Sequence, residues 1–281
     1  MTLLKLLILA IVQGAAELLP VSSSAHVIVA EKLMGLDPTA PEMTLLLVML
    51  HTGTMFAVIG YFWSAWRRAY FGSMRQFRQQ ATLVVLATLA TGVIGLGLQS
   101  LIKHLLIREA PNFEIESLFG NAKLMASALV AAALLILLSS RLKDGSRELS
   151  NIKALAIGAV QGLCLPFRGF SRSGATISTG LLLGASRRRA EEFSFALAVV
   201  LTPAVIVREY LRVLKAAAFV STAGAAPSLW TSVGPGLLGM GLSFASGLVA
   251  LRLLSHWLEH GRWHFFGVYC LMAAGIVLWV G

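Results

Sequence analysis

The sequence predicts an all-α polytopic membrane protein, an inverted repeat of two halves, each a re-entrant helical hairpin followed by three transmembrane helices. Three observations carry this. First, 57% of the 281 residues are hydrophobic and 13% are charged, about half the charge of a soluble domain. Second, apolar runs of membrane-spanning length alternate with short basic loops. Third, Val12-Gln13-Gly14 recurs as Val160-Gln161-Gly162 half a chain later, each time in a short apolar arm. No polar stretch is long enough for a second domain, so residues 1–281 read as one membrane domain with pseudo-repeats 1–150 and 151–281.

Leu3 to Val12 is apolar but too short to cross a bilayer, which takes about twenty residues. With Lys5 it resembles a signal peptide, but a cleavage region containing Glu17 and Pro20 is too long and too polar, so the segment is expected to stay. The polar island Gln13-Gly14-Ala15-Ala16-Glu17-Leu18-Leu19-Pro20-Val21-Ser22-Ser23-Ser24-Ala25-His26 follows, then the short arm Val27 to Met34. Two half-length arms around a polar turn read as a re-entrant hairpin, tolerated at membrane depth only where protein or a wet cavity surrounds it. Asp37-Pro38 and Pro41 mark a loop.

Met43 to Trp63 is the first full span, with a polar centre at His51-Thr52-Gly53-Thr54. Residues 64–80 form a basic loop, Ala81 to Leu101 is the second span, 102–120 a mixed loop, and Asn121 to Ser140 the third span. After the loop 141–153, Ile152 to Leu165 and Ile177 to Ala185 flank a second island, Arg168-Gly169-Phe170-Ser171-Arg172-Ser173-Gly174-Ala175-Thr176, and form the second hairpin. Phe193 to Val207 and beyond is a span interrupted by Pro203; 214–231 is a Gly/Ala/Ser/Pro loop; Ser232 to Leu254 and His264 to Val280 are the last spans. Glu42 and Thr52 match Glu192 and Thr202, and Gly53 then matches Pro203, each read as a helix break.

The net charge of +10 does not indicate nucleic acid, because the basic residues sit in short loops between apolar runs. The loops 64–80, 141–153, 186–192 and 252–262 hold 13 of the 23 Lys and Arg residues and are placed inside, leaving both termini outside. Three spans per half is an odd number, so the halves have opposite topology and the two hairpin tips approach each other near the midplane. Trp63 and Trp66 read as an interfacial belt. Cys164 and Cys270 lie in apolar runs and suggest no disulfide.

Ionisable residues at membrane depth are costly and mark function. Each hairpin aims a helix N-terminus at its tip, with Ser22, Ser23 or Ser24 capping the first and Ser171 or Ser173 the second, which makes an anion site. Arg172 adds a bidentate phosphate ligand. The alternative is that these serines are only caps and turns. Gln13 and Glu17, at i and i+4, share a helical face and offer oxygens to a hard divalent cation; alternatively Glu17 simply pairs with Arg172. His26 is one helical turn beyond Ser23 and is read as its base or as the acid for a leaving group, against a buried histidine bonded to backbone. For His51 the structural and functional readings stand level. The repeat is chemically asymmetric: Glu17 corresponds to Leu165 and Ser24 to Arg172.

With both islands in view, the chain resembles the bacitracin-resistance type of undecaprenyl pyrophosphate phosphatase, nearly end to end. The family's Glu/Gln-x-x-x-Glu motif stands here as Gln13 to Glu17, followed by Leu-Pro-Val-Ser-Ser and His26; its Pro-Gly-x-Ser-Arg-Ser-x-x-Thr motif stands as Gly169 to Thr176. Two positions depart from the pattern. Arg168 replaces the proline before Gly169 and offers a second phosphate ligand, and Gln13 in its glutamine form leaves Glu17 to carry the metal site's charge. The resemblance implies hydrolysis of the C55 lipid diphosphate of cell-wall synthesis, a site open to the periplasm of a bacterial inner membrane, and a divalent metal, Mg2+ or Ca2+. Combined with the residue reading, Glu17, Ser23, His26 and Arg172 are the expected catalytic residues. Ser22, Ser24, Ser171, Ser173, Thr176 and Arg168 are expected on the substrate, and Glu17 and Gln13 on the metal. The expected partners are the bilayer, a polyprenyl diphosphate and a second copy of the chain, with no nucleic acid. The rival reading is an inverted-repeat transporter or flippase for a lipid phosphate or another anion.

Overall fold

The computed structural model describes residues 2–37, 41–107, 121–146, 148–221 and 229–280, and among these the secondary structure is helical, with no strand. The helices are α1 (Leu3–Leu18), α2 (Ser23–Met34), α3 (Pro41–Tyr70), α4 (Met74–Ile107), α5 (Ala122–Ser140), α6 (Asn151–Leu163), α7 (Arg172–Leu182), α8 (Arg187–Ser221), α9 (Leu229–Glu259) and α10 (His264–Val280). Two short helices followed by three longer ones occur twice in succession. The short helices α1, α2, α6 and α7 run roughly 16 to 24 Å at about 1.5 Å per residue, too little to cross a hydrocarbon layer of about 30 Å. α1 packs on α2 and α6 on α7, so each pair is a hairpin.

Among the described residues, four segments are long and apolar enough to span a membrane: Met43–Tyr70, Met74–Leu105, Ala122–Ser140 and Gly234–Glu259. α10 is a shorter apolar helix of 17 residues. The 35-residue α8 carries Arg187, Arg188, Arg189, Glu191, Glu192 and Pro203.

The helices overrun the predicted spans. Of the loop expected at 64–80 only residues 71–73 are non-helical, because the Arg- and Gln-rich flanks are good helix formers that extend α3 and α4. The loop expected at 102–120 is helical to Ile107 and otherwise lies outside the described residues; that expected at 214–231 is helical to Ser221 and again from Leu229. Neither proposed break interrupts its helix. α8 runs through Pro203, with the Thr202 hydroxyl bonded to the Ala198 carbonyl one turn back. At Gly53 the reason for glycine is contact: a Cβ there would collide with the Met240 carbonyl of α9.

Between membrane helices apolar burial drives little, and close approach of backbones through small residues does the work. α1 lies on α9, where a Cβ on Gly14 would strike Ser243 and Ser246; α6 lies on α4, where a Cβ on Gly158 would strike Ala87 and one on Gly162 would meet Thr91 and Gly95. Gly14 and Gly162 are the glycines of the repeated Val-Gln-Gly triplet, so the repeat is partly a packing motif. α7 is buried along nearly its whole length, from Ser173 to Leu181, against α5, α6 and α8. It makes a rigid seat for the second hairpin tip. Gly158→Leu should force α6 off α4 and cost about 1–3 kcal/mol, the usual range for overpacking. A fall in melting temperature of the detergent-purified protein checks this, with exposed Gly97→Leu unchanged as control.

Candidate active site

The islands are more helical than their composition suggests. α1 continues through Leu18 and carries Gln13 and Glu17 inward on one face, leaving Leu19 to Ser22 as the turn. α7 begins at Arg172, so the arginine occupies the first turn of a buried helix. The Ser171 hydroxyl caps that helix, accepting from the Gly174 amide at 3.2 Å. At α2 the capping position is Ser22, whose side chain makes no cap bond, so the amides of its first turn lack a side-chain acceptor from the cap.

The two hairpins meet at a carboxylate. Arg172 Nη2 lies 2.6 Å from Glu17 Oε1, joining residues 155 positions apart. Ser23 Oγ donates to Glu17 Oε2 at 2.6 Å, and Gln13 Nε2 donates to the same oxygen at 3.3 Å. His51 Nε2 stands 3.7 Å from that oxygen, with its Nδ1 bonded to the Leu47 carbonyl at 2.7 Å. The Glu17 side chain is 13% exposed, while Arg172 and His51 keep 27% and 32%, so the cluster is sheltered yet reachable. Away from bulk water an ion pair needs this kind of close, multiply bonded geometry to offset its desolvation.

The other expected residues divide. His26 Nδ1 is 2.8 Å from the Ser22 carbonyl and its Nε2 is 2.7 Å from the Tyr269 hydroxyl, so both ring nitrogens are occupied away from Ser23. The expected Ser23–His26 pairing is replaced by Ser23–Glu17. The reason is helical geometry: from the first turn of α2 the imidazole bonds back to the backbone carbonyl four residues earlier and reaches across to α10. Ser173 donates to the Leu19 carbonyl at 3.2 Å, fastening the second hairpin to the turn of the first. Thr176 is fully buried and shares a 2.6 Å bond with Ser194 of α8. Ser173 thus ties the two tips together, while Ser171 caps α7 and Thr176 ties it to α8. Ser24 sits partly exposed in the first turn of α2, and Arg168 is exposed beside the second tip, its charge within electrostatic reach of Glu31.

Two neighbours were not among the expected site residues. His51 belongs to the site, and its signal was the polar centre His51-Thr52-Gly53-Thr54 in an apolar span. Tyr269 gave no signal, being one of several aromatics in an apolar helix. The Trp66 indole bonds the Glu192 carbonyl at 3.2 Å, so this tryptophan ties α3 to α8 as well as fitting a belt. The second-half counterpart of Gln13 has gone another way: Gln161 is buried and donates to Thr91 of α4 at 3.1 Å, a tie between helices.

For a metal the donor set is thin. No group of three His, Cys, Asp or Glu side chains gathers among the described residues. Glu17 and Gln13 supply one carboxylate and one amide oxygen beside a guanidinium, which suits a hard cation only if phosphate oxygens and water complete its shell. Chemically, the cluster offers a hydroxyl already hydrogen-bonded to a carboxylate, a guanidinium beside it, and a helix end with open amides. That set suits attack on a phosphorylated group whose charge the guanidinium and amides share.

Comparison with known proteins agrees. The profile of the family described as bacitracin resistance protein BacA matches residues 6–277. Undecaprenyl-diphosphatase 2 of Acinetobacter baylyi is 62% identical over 279 residues, which cover 99% of this chain and 98% of that protein. The undecaprenyl-diphosphatase of Desulfosudis oleivorans is 32% identical over 98% of this chain and 97% of its own length. That of Korarchaeum cryptofilum is 29% identical over 99% of both. With matches running from end to end, and both polar islands meeting in one cluster, the chain belongs to the bacitracin resistance protein BacA family.

Proposed function

We propose that this protein hydrolyses undecaprenyl diphosphate to undecaprenyl phosphate and inorganic phosphate, recycling the lipid carrier of cell-wall synthesis and so giving bacitracin resistance. The observation that carries the reading is the 2.6 Å contact of Arg172 with Glu17, made while Glu17 also accepts from Ser23 at 2.6 Å. The relatives named as diphosphatases support it along the whole chain, and nothing comparable favours the transporter alternative.

In this mechanism the polyprenyl tail lies among the spans and the diphosphate reaches the paired tips. Arg172 and the amides opening α2 hold the terminal phosphoryl group. Ser23 Oγ attacks the terminal phosphorus, its proton passes to Glu17, and the bond to the bridging oxygen breaks, releasing the lipid monophosphate. Water then attacks the phosphoserine, releases inorganic phosphate and restores the serine. His51 Nε2 stands beside the same carboxylate, 3.7 Å from Oε2. Mg2+ or Ca2+ would be held by the oxygens of Glu17 and Gln13 together with the diphosphate, and supplies positive charge against the developing phosphate charge. Direct attack by water is the close alternative to the serine route.

The protein resides, on this reading, in the bacterial inner membrane as a multi-pass protein with its site facing the periplasm and its two five-helix runs inverted relative to each other. The basic loops support this orientation, and the exchange of packing partners, α1 on α9 and α6 on α4, fits a two-fold relation between the runs. A second copy of the chain is the proposed protein partner.

Phosphate release from C55 diphosphate by the detergent-purified protein tests the activity. Glu17→Ala, Ser23→Ala and Arg172→Ala should each lower turnover by about two orders of magnitude or more, with a normal elution volume. Trapped phosphoserine on Ser23 supports the serine route; oxygen-18 entering phosphate with no covalent intermediate supports water. Chelation should suppress turnover, and Mg2+ or Ca2+ should restore it. For orientation, a cysteine placed at Ser73 should react with a membrane-impermeant thiol reagent only after the inner membrane is opened.

A further inference from the structure

We propose that Tyr269 is a positioning residue for this reaction, acting through His26: together they brace the turn of the first hairpin in the shape that sets Ser23 against Glu17. The inference rests on the phosphatase reading above.

A carbonyl oxygen only accepts, so His26 Nδ1, 2.8 Å from the Ser22 carbonyl, carries the proton. Nε2 of the neutral ring is then an acceptor, and the Tyr269 hydroxyl donates to it at 2.7 Å. The two rings are nearly parallel, 12° apart with centroids at 5.6 Å, which fixes the imidazole in its plane. With both nitrogens engaged, this histidine has no lone pair left for the proton of Ser23. It is a strut.

What the strut holds is a backbone that would otherwise relax. Ser22 is, among the described residues, the only one other than glycine with a positive φ, 68°. Side-chain-bearing residues avoid this region unless their surroundings impose it. The turn is held carbonyl by carbonyl: Leu19 by Ser173 of α7 at 3.2 Å, Pro20 by Cys270 Sγ of α10 at 3.2 Å, and Ser22 by His26. α10 thus reaches the turn through two adjacent residues, Cys270 directly and Tyr269 by way of the imidazole. Ser23 follows Ser22 immediately, so the strained torsion sets where its hydroxyl points, and that hydroxyl lies 2.6 Å from Glu17.

The test is steady-state hydrolysis of C55 diphosphate by the purified full chain. Tyr269→Phe keeps the ring and removes the donor. It should lower kcat about tenfold, the worth of one well-made hydrogen bond, while KM and melting temperature stay near those of the unsubstituted protein. His26→Asn, whose amide N–H can take the place of Nδ1–H, should retain about tenfold more activity than His26→Ala. Adding Tyr269→Phe to His26→Ala should cost nothing further, because the tyrosine acts through the imidazole. Unchanged kcat in Tyr269→Phe, multiplying effects in the double variant, or His26→Asn as inactive as His26→Ala would each overturn the proposal. If Tyr269→Phe fails to fold, the nitrogen-15 spectrum of His26 in the unsubstituted protein decides: protonation at Nδ1 alone supports the strut, and protonation at Nε2 alone refutes it. An unsubstituted protein that releases no phosphate refutes the phosphatase reading itself, an outcome distinct from normal turnover in both parent and variant.

Discussion

A charge taken out of water must find its opposite. Glu17 and Arg172 are 155 residues apart in sequence and 2.6 Å apart in space, each on a short helix that ends inside the protein. Neither could be left alone in that setting without a penalty of several kcal/mol. The surrounding architecture follows from bringing them together. Hairpins supply helix ends at depth, glycines at 14, 158 and 162 let the hairpin helices lie against α9 and α4, and the buried α7 fixes the arginine's starting point. Ser173 on the Leu19 carbonyl and Thr176 on Ser194 then lock the second tip to the first and to α8.

The same pair organises reactivity. The carboxylate that neutralises Arg172 also receives the hydroxyl of Ser23 and the amide of Gln13. One group therefore links a hydroxyl to a guanidinium, the pairing on which the proposed serine route rests. In the proposed reaction an arriving diphosphate shares the charge of the guanidinium, which leaves Glu17 a stronger acceptor for the serine proton.

Much of this was legible in the sequence, because polar residues in a greasy chain stand out. The two islands, the half-length arms around them and the i, i+4 spacing of Gln13 and Glu17 all describe local features, and local features survive folding. What escaped depends on partners distant in sequence. His51 reaches Glu17 because α3 passes beside α1, and Tyr269 reaches His26 from the other end of the chain. The structural partners of Ser171, Ser173 and Thr176 were likewise not legible: a buried hydroxyl must be satisfied, and the partners are the start of α7, the turn of the first hairpin and Ser194 of α8. Helix ends were misplaced because the apolar run measures the membrane while the helix continues past it. Gly53 read as a hinge because a glycine selected for close contact and one selected for bending look alike in sequence.

The divergence of the two halves has one more consequence. Leu165 occupies the place of Glu17, and Arg172 that of Ser24, so the carboxylate and guanidinium of the central pair fall on opposite sides of residue 150. Two copies of the first segment docked together would oppose carboxylate to carboxylate; two of the second would oppose guanidinium to guanidinium. Each self-association is repelled where water is scarce. Cut between α5 and α6, the polypeptide would yield fragments with a built-in preference for each other over their own kind. Heterotypic reassembly is thereby favoured by charge as well as by the packing of α1 on α9 and α6 on α4.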